Sequence, residues 1–350
     1  MPFTDIAKEL DIYAARSTLE KVFHDHHGLF RRKATHKPFL TRNHIEARLA
    51  FAHMALKVAM EHIVFTDEMW VEFNSTRRRK NVTRKIGVDP NQWALHDKQD
   101  DRTIRVMFWG AICLGYQGPC HVWEKDTAED QQRHREILNQ ENQIRQQRQS
   151  LNQAQASIPG TWQHAALTEI NRNIDEQNIR EGREGRRKRR RRAAHQEFRE
   201  EQFQYRSKGG VNWVSYRDRV LNPLLYPWID QLQAQTGMPV TYLVEDNAPA
   251  HQTVQRVDRD LRHTKGIITF QWPPRSPDLN QIEGLWSDCK DEIATYQFTG
   301  ASQETVEQAK ATLVEVWRTF PQELIDRRCY SFHEKLNRCI VHGGNNNFDG

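Results

Sequence analysis

The chain has 350 residues, 37% hydrophobic content and a formal net charge of +5, enough apolar material for one good core with appendages, and no run approaches the roughly 18 apolar residues that a membrane span needs. The five cysteines, Cys113, Cys120, Cys289, Cys329 and Cys339, are odd in number and form no CxxC pair, so neither a disulfide framework nor a zinc site is indicated. Residues 1–10 lack the basic start and apolar centre of a secretory leader, and the mild basic balance suits a nucleic-acid partner without requiring one.

Residues 6–10 and 16–23 read as two short helices split by a brief turn. This is helix-turn-helix spacing, in which the second helix enters the major groove and directs Arg16, Ser17, Thr18 and Lys21 at DNA. Two ordinary helices with Leu10, Leu19 and Phe23 in a small core fit the spacing equally well. Arg31, Arg32 and Lys33 begin a basic extended segment running to Arg42, suited to phosphate contacts or a minor-groove arm. The apolar spacing of Ile45, Leu49, Phe51 and Met54 predicts a helix over 43–57, followed by a strand over 63–73 that carries Asp67 after an apolar run. Arg77, Arg78, Arg79 and Lys80 fall on a turn, where a solvated loop and a clamp on the DNA backbone are equal readings. Residues 104–114 and 118–123 predict paired strands turned at 115–118.

From Asp126 to about Arg206 the composition shifts to Gln, Asn, Glu and Arg with few apolar residues, which cannot build a core. This segment is expected to be long polar helices or disorder inserted into the main fold. It contains seven consecutive basic residues, Arg186 to Arg192, read as a nuclear localisation signal in preference to a DNA-backbone patch or a solvated charge run. Residues 216–232 then predict a core helix with Val220, Leu221, Leu224, Leu225, Trp228 and Leu232 inward and a middle made irregular by Pro223 and Pro227. A strand over 240–245, a short helix near His251, a strand over 267–271 and a helix carrying Glu283, opened by Ser276, Pro277 and Asp278, complete the pattern. This order fits an α/β fold with a mixed central sheet and helices on both faces.

Three carboxylates stand out. Asp67 and Asp246 follow apolar strand-like runs, and Glu283 follows a proline-punctuated turn. Singly, each has a plain reading as a turn residue, a cap or a first-turn acid favoured by the helix dipole, and Glu68 beside Asp67 is an equally available charge. Asn247 and His251 near Asp246 either orient ligands and contact phosphate or, for His251, cap a turn. Taken together, the acids suit hard divalent cations with oxygen ligands. They also suit two-metal phosphoryl transfer, in which ions about 3.5–4 Å apart activate the attacking oxygen and stabilise the leaving one. Without cations such carboxylates repel, so the metal-free site is expected to be loose.

The ordered blocks Phe65-Thr66-Asp67-Glu68, Phe108-Trp109-Gly110, Asp246-Asn247-Ala248-Pro249-Ala250-His251 and residues 272–286 resemble the signature blocks of the Tc/mariner superfamily of cut-and-paste DNA transposases. Residues 324–331 and the stretch 340–344 are similar to that family's closing helix and Gly-Gly end. The resemblance implies an RNase H-like fold with Asp67, Asp246 and Glu283 as catalytic triad and ligands of two Mg2+ ions, for which Mn2+ substitutes, and Asn247, His251 and Asn280 as supporting residues. It further implies endonuclease and strand-transfer activity on double-stranded DNA at transposon ends and a TA target, and a homodimer or larger assembly; the basic run carries the expectation of a nuclear location, and the lack of a long apolar run that of no membrane. Between Asp246 and Glu283 lie 36 residues, slightly more than is usual in the family and read as loop variation.

The expected organisation is a helix-turn-helix unit and linker over 1–50, resembling the second half of a paired-type DNA-binding domain. Catalytic segments over 51–125 and 207–300 flank an insertion over 126–206, and a helical tail covers 301–350. The first half of the paired-type domain has no counterpart, which points to a truncated element copy, a fragmentary gene reading or a late start. The alternative functions are a catalytically idle, transposon-derived DNA-binding protein and an RNase H-type hydrolase of RNA–DNA hybrids, against which the helix-turn-helix remnant argues.

Overall fold

A computed structural model of the chain describes residues 14–27, 38–73, 103–205, 211–296 and 298–347. Five strands within them, β1 (Ile63–Phe73), β2 (Ile104–Cys113), β3 (Tyr116–Trp123), β4 (Thr241–Val244) and β5 (Ile267–Thr269), form one mixed sheet in the order β3-β2-β1-β4-β5. β1, β2 and β3 are antiparallel neighbours, whereas β1, β4 and β5 run parallel. The β2–β3 turn is tighter than expected, closing at Leu114 and Gly115, where φ is +80°, a conformation that glycine adopts without steric cost.

The helices are α1 (Arg16–His27), α2 (Arg42–Ala55), α3 (Ala128–Gln155), α4 (Trp162–Arg180), α5 (Ala194–Glu197), α6 (Trp213–Tyr216), α7 (Tyr226–Thr236), α8 (Pro249–Val257), α9 (Arg259–Thr264), α10 (Gln281–Ile293), α11 (Gln303–Arg318) and α12 (Gln322–Val341). α2 starts where Thr41 accepts a hydrogen bond from the His44 N–H and the His44 side chain returns one to the Thr41 N–H, a reciprocal cap satisfying two otherwise orphaned donors.

Alternation along β1 sorts its side chains onto two cores. Phe65, Met69 and Val71 join Phe108, Leu285, Trp286, Trp317 and Phe332 beneath α10, α11 and α12. Val64 faces the other way with Trp109, Leu221, Tyr226, Ile229 and Leu243 beneath α6 and α7. Burial on both faces is what a central strand between helical layers requires. Gly110 has a packing reason: a Cβ there would lie 2.9 Å from the Trp286 ring and 3.0 Å from that of Trp317. The third residue of the Phe-Trp-Gly block thus lets two indoles seat directly on the sheet.

The C-terminal end closes over α2. The fully buried Arg48 guanidinium donates to both oxygens of Asp278 (2.8 and 2.6 Å) and to the Gly344 carbonyl (2.8 Å). Gly344, at φ +83°, lies so close that a Cβ would meet the Ile45 carbonyl at 2.6 Å.

Several expectations change. The insertion is helical, built on α3 and α4, with Leu138 and Ala156 its buried apolar residues. Of the two prolines, Pro223 lies in a wide-turned stretch, Arg217–Leu225, which passes into α7 through a Tyr226 N–H bonded to the Leu221 carbonyl; Pro227 sits in the first turn of α7, where its missing N–H costs nothing. Ser276, Pro277 and Asp278 do not open the Glu283 helix but belong to a separate 3-10 turn, Pro277–Leu279, with α10 beginning at Gln281. The second expected N-terminal helix runs on to His27, with Leu19 buried and Ser17, Thr18 and Lys21 exposed. The expected helix over 6–10, the basic residues Arg31, Arg32 and Lys33, the cluster Arg77, Arg78, Arg79 and Lys80, and the Arg16 side chain lie outside the described residues.

Candidate active site

Asp67 and Asp246 come from neighbouring parallel strands. Phe65 of β1 pairs with Val244 of β4, and the Thr66 hydroxyl donates to the Val244 carbonyl at 2.7 Å, so the chain leaving β4 delivers Asp246 beside Asp67. As the expected strand over 63–73 implies, Asp67 is mid-strand: β1 runs six residues further, paired with β2 alone. It sits where the parallel partner departs, the position at which open α/β sheets hold ligands. Glu283 is the third residue of α10, on the side of the sheet to which the odd-numbered residues of β1 point.

The charges show that these carboxylates meet. Burial, then the charges of Glu283, Glu68 and Asp246, push the Asp67 carboxyl well above the usual carboxylate range, against a hydrogen bond from the Glu68 N–H (2.8 Å). Crowding by protein and the Asp246 charge push Glu283 up as well, opposed by a hydrogen bond with Asp67 and by Lys290 and Lys335. Glu283 is exposed, so solvent screening keeps its shift the smaller one. Two carboxyls sharing a hydrogen bond need one proton between them, and the half-buried Asp67, raised the further of the two, is the one that favours holding it.

Asp246 is held differently. Burial raises its carboxyl, but the His251 ring outweighs it through a 2.6 Å contact from Nδ1 to Oδ1, and the Ala248 N–H adds a bond at 2.8 Å, for a net lowering. His251 loses by burial but gains more from Glu68, 3.4 Å from Nε2, and from Asp246, and is held well above the ordinary imidazole range. With carboxylates at both nitrogens the ring is an imidazolium donating twice. Glu68, from the opposite face of β1, thus anchors the residue that orients Asp246. Asn280 orients Asp67: its amide donates to Asp67 Oδ2 (3.2 Å) and to the Thr66 carbonyl (3.3 Å), leaving its own Oδ1 buried without a partner. Asn247 points away, donating to the Trp272 carbonyl at 2.9 Å and tying the end of β4 to the segment leading to Glu283.

Behind the site, Glu245 is fully buried and paired through both oxygens with Arg262 (2.6 and 3.0 Å). The Tyr216 hydroxyl donates to it at 3.0 Å, and the Tyr226 hydroxyl accepts from Arg262 Nε at 3.0 Å and donates to Asp258 at 2.9 Å. This lattice fixes the residue directly before Asp246. Sequence reasoning took Glu68 only as a charge beside Asp67 and missed Glu245 and Arg262; for Glu245 the sole cue was its place one position before the acid that drew attention.

Among the described residues no set of three or more His, Cys, Asp or Glu side chains forms a preassembled metal cluster. The donor set nonetheless fits a hard cation. Asp67 and Glu283 relieve their repulsion by sharing a proton, which a divalent ion would replace, and Asn280 offers an unpartnered buried oxygen alongside.

A mixed β3-β2-β1-β4-β5 sheet with helices on both faces is an RNase H-like fold, and here it carries acids at the β1–β4 junction and at the start of a following helix. Residues 173–305 match the family described as DDE superfamily endonuclease, a span that includes Asp246 and Glu283. The transposase of the element Tc3 of Caenorhabditis elegans is 31% identical over 101 residues, 29% of this chain and 29% of that protein. The Tcb2 transposase of Caenorhabditis briggsae is 28% identical over 121 residues, 33% of this chain and 40% of that one. These matches span less than half the length of either relative. In fold, the chain is similar over 99% of its length to 75% of the Mos1 mariner transposase chain in a paired-end complex with Mn, with a TM-score of 0.58 and 16% identity. A Mos1 paired-end complex with the left transposon end gives 0.56. The chain is thus similar in part of its sequence to Tc-type transposases and in fold to a mariner transposase.

Proposed function

We propose that this chain is a metal-dependent DNA transposase that hydrolyses DNA at element ends and transfers the freed 3′-hydroxyl into target DNA. The observation that carries the reading is the convergence of Asp67, Asp246 and Glu283 from the middle of β1, the end of β4 and the first turn of α10. Asp67 and Asp246 would hold two Mg2+ or Mn2+ ions and Glu283 would complete the coordination of one. When bound, such ions lower the pKa of the attacking water or hydroxyl and stabilise the leaving oxygen. The chain's own residues present the oxygens. His251, braced by Glu68, fixes one oxygen of Asp246 and leaves the other available; Asn280 fixes Asp67 Oδ2; the Glu245–Arg262 pair keeps the end of β4 from shifting. Attack in line by water or a 3′-hydroxyl needs no covalent protein intermediate, so no nucleophilic Ser, Cys or Tyr is required.

The substrate in this reading is double-stranded DNA, first the element's ends and then a TA target, handled by a homodimer or larger assembly in the nucleus. It is supported by the Mos1 complexes, described as paired-end, pre-cleavage and strand-transfer assemblies. The test is Mg2+- or Mn2+-dependent nicking of duplex DNA by purified protein beside Asp67→Asn, Asp246→Asn and Glu283→Gln. Wild-type cleavage with loss in all three variants and unchanged DNA binding is expected. Cleavage retained in the variants overturns the site assignment, and binding without cleavage by the wild type marks a catalytically idle derivative.

A further inference from the structure

The arginine run of the insertion is not a loose tail. Asn178, 1% exposed on α4, accepts from the Arg189 N–H at 2.7 Å and donates to the Arg189 carbonyl at 2.9 Å. Two turns earlier on the same helix, Asn171 does the same to Arg192, at 2.7 and 3.1 Å. Seven helical residues rise about 10.5 Å and three extended residues span about 10 Å, so the two clamps match only if the chain from Arg189 to Arg192 runs extended and antiparallel to α4.

Extension sorts the side chains. Arg189 and Arg191 turn to the helix, where Arg189 bonds Gln177 Oε1 at 2.9 Å and Arg191 pairs with Asp175 at 2.5 Å. The intervening Arg190 faces away, as successive side chains of an extended strand must. Arg187, Lys188 and Arg190 are exposed and form no ion pair among the described residues. Residues 180–192 hold nine Lys or Arg against two Glu, a net of +7, which leaves the remainder of a +5 chain at −2. The ridge is also joined to the catalytic part: Asn142 clamps both backbone groups of Phe203 at 2.8 Å, and Glu201 pairs at 2.8 Å with Arg256 on α8, the helix that carries His251.

We propose that the Arg187–Lys188–Arg190 ridge is a preformed, sequence-independent binding site for the phosphate backbone of duplex DNA. The inference rests on the chain handling DNA and adds a contact outside the acid site. Clamping the main chain removes, before binding, conformational freedom that a free arginine tail would lose on the duplex. It also separates the two readings of the run. A protein receptor that grips an extended basic peptide by its main chain would have to break the four Asn171 and Asn178 hydrogen bonds, whereas a duplex reads only the charges and leaves them intact.

The test uses the full chain and a random-sequence duplex, with affinity measured from 50 to 200 mM salt for wild type, Arg187→Gln/Lys188→Gln/Arg190→Gln, Asn171→Ala/Asn178→Ala and Asp246→Asn. Each phosphate contact contributes a slope of about −0.9 in log K against log salt, so losing three flattens the slope by about 2.7, and raising the salt over this range costs wild type about 40-fold more affinity than the triple variant. The asparagine variant, all charges kept, is expected to bind several-fold more weakly with nearly the wild-type slope. Asp246→Asn should keep both, so a chain that binds this way yet never cleaves would refute the catalytic reading alone. A triple variant with wild-type affinity and slope overturns the ridge proposal; if that variant also fails to accumulate in nuclei, the run is an import address.

Discussion

Replacing Arg262 by Met should destabilise the protein more than any surface change. Arg262 is 3% exposed and Glu245 is 0% exposed. The substitution keeps most of the side-chain volume but removes both charge-assisted bonds to Glu245, the bond to the Tyr226 hydroxyl and one at 2.7 Å to Thr269. Glu245 would retain the Tyr216 hydroxyl and a 3.3 Å contact from Gln255, far short of what a buried carboxylate needs. Breaking a buried pair by deleting one partner costs about 3–5 kcal/mol. For 350 residues unfolding together, the unfolding entropy is about 0.7 kcal/mol per kelvin, which turns 4 kcal/mol into a fall of about 5 °C in Tm. The assay is thermal unfolding followed by circular dichroism, with Arg262→Met/Glu245→Met alongside. Deleting both charges leaves nothing unpaired in that bond, so the double variant should recover most of the loss, a coupling of several kcal/mol. A single variant within 1 °C of wild type, or a double variant worse than the single, would refute the view that this pair is the internal brace behind Asp246.

Gly110→Ala places a methyl against two indole rings and should cost about 1–3 kcal/mol in overpacking, read as a lower Tm with an altered near-ultraviolet tryptophan signal. His121, on β3, is held down to about 4 by burial and then by Arg219. Because the unfolded chain takes up the proton first, stability is full above the ordinary histidine pKa near 6.5 and is lost as pH falls towards 4. Between pH 7.5 and 5 the wild type should lose about 2 kcal/mol more than His121→Gln, and parallel denaturant titrations at the two pH values check it. Mn2+ should raise the Tm of the wild type but not of Asp246→Asn, since a ligand bound only to the folded state stabilises it by mass action; equal shifts would remove Asp246 from the metal site. His251→Gln should lower metal-dependent nicking by about 10–100-fold, the scale for residues that orient ligands, with DNA binding unchanged on a filter or gel assay.

The three acids were legible because each follows a strong local signal: an apolar run for Asp67 and Asp246, a Pro-Pro and Ser-Pro turn for Glu283. What surrounds them was not. The distance from Glu68 to His251 is 183 positions, and no local pattern marks which of two adjacent acids will face which layer until the sheet order is known. The apolar run ends at Asp67, yet the strand over 63–73 was legible as a whole, and β1 continues because β2 still pairs with it after β4 has left. The insertion was ambiguous between helix and disorder because its cohesion comes from amide side chains gripping backbone up to 61 residues away rather than from apolar periodicity. Ser276 and Asp278 mimicked a helix start, yet Asp278 serves Arg48 on α2, and the helix begins beyond it.

The Arg48 clasp sets an order of events during synthesis. Its guanidinium, buried at 0% exposure, is satisfied by Asp278, just ahead of the Glu283 helix, and by the carbonyl of Gly344, 61 positions beyond Glu283. A nascent chain growing at about 5–20 residues per second therefore carries all three acids for several seconds before the clasp can close. Chains cut short upstream of Gly344 would keep an arginine short of a partner under α2 and close poorly.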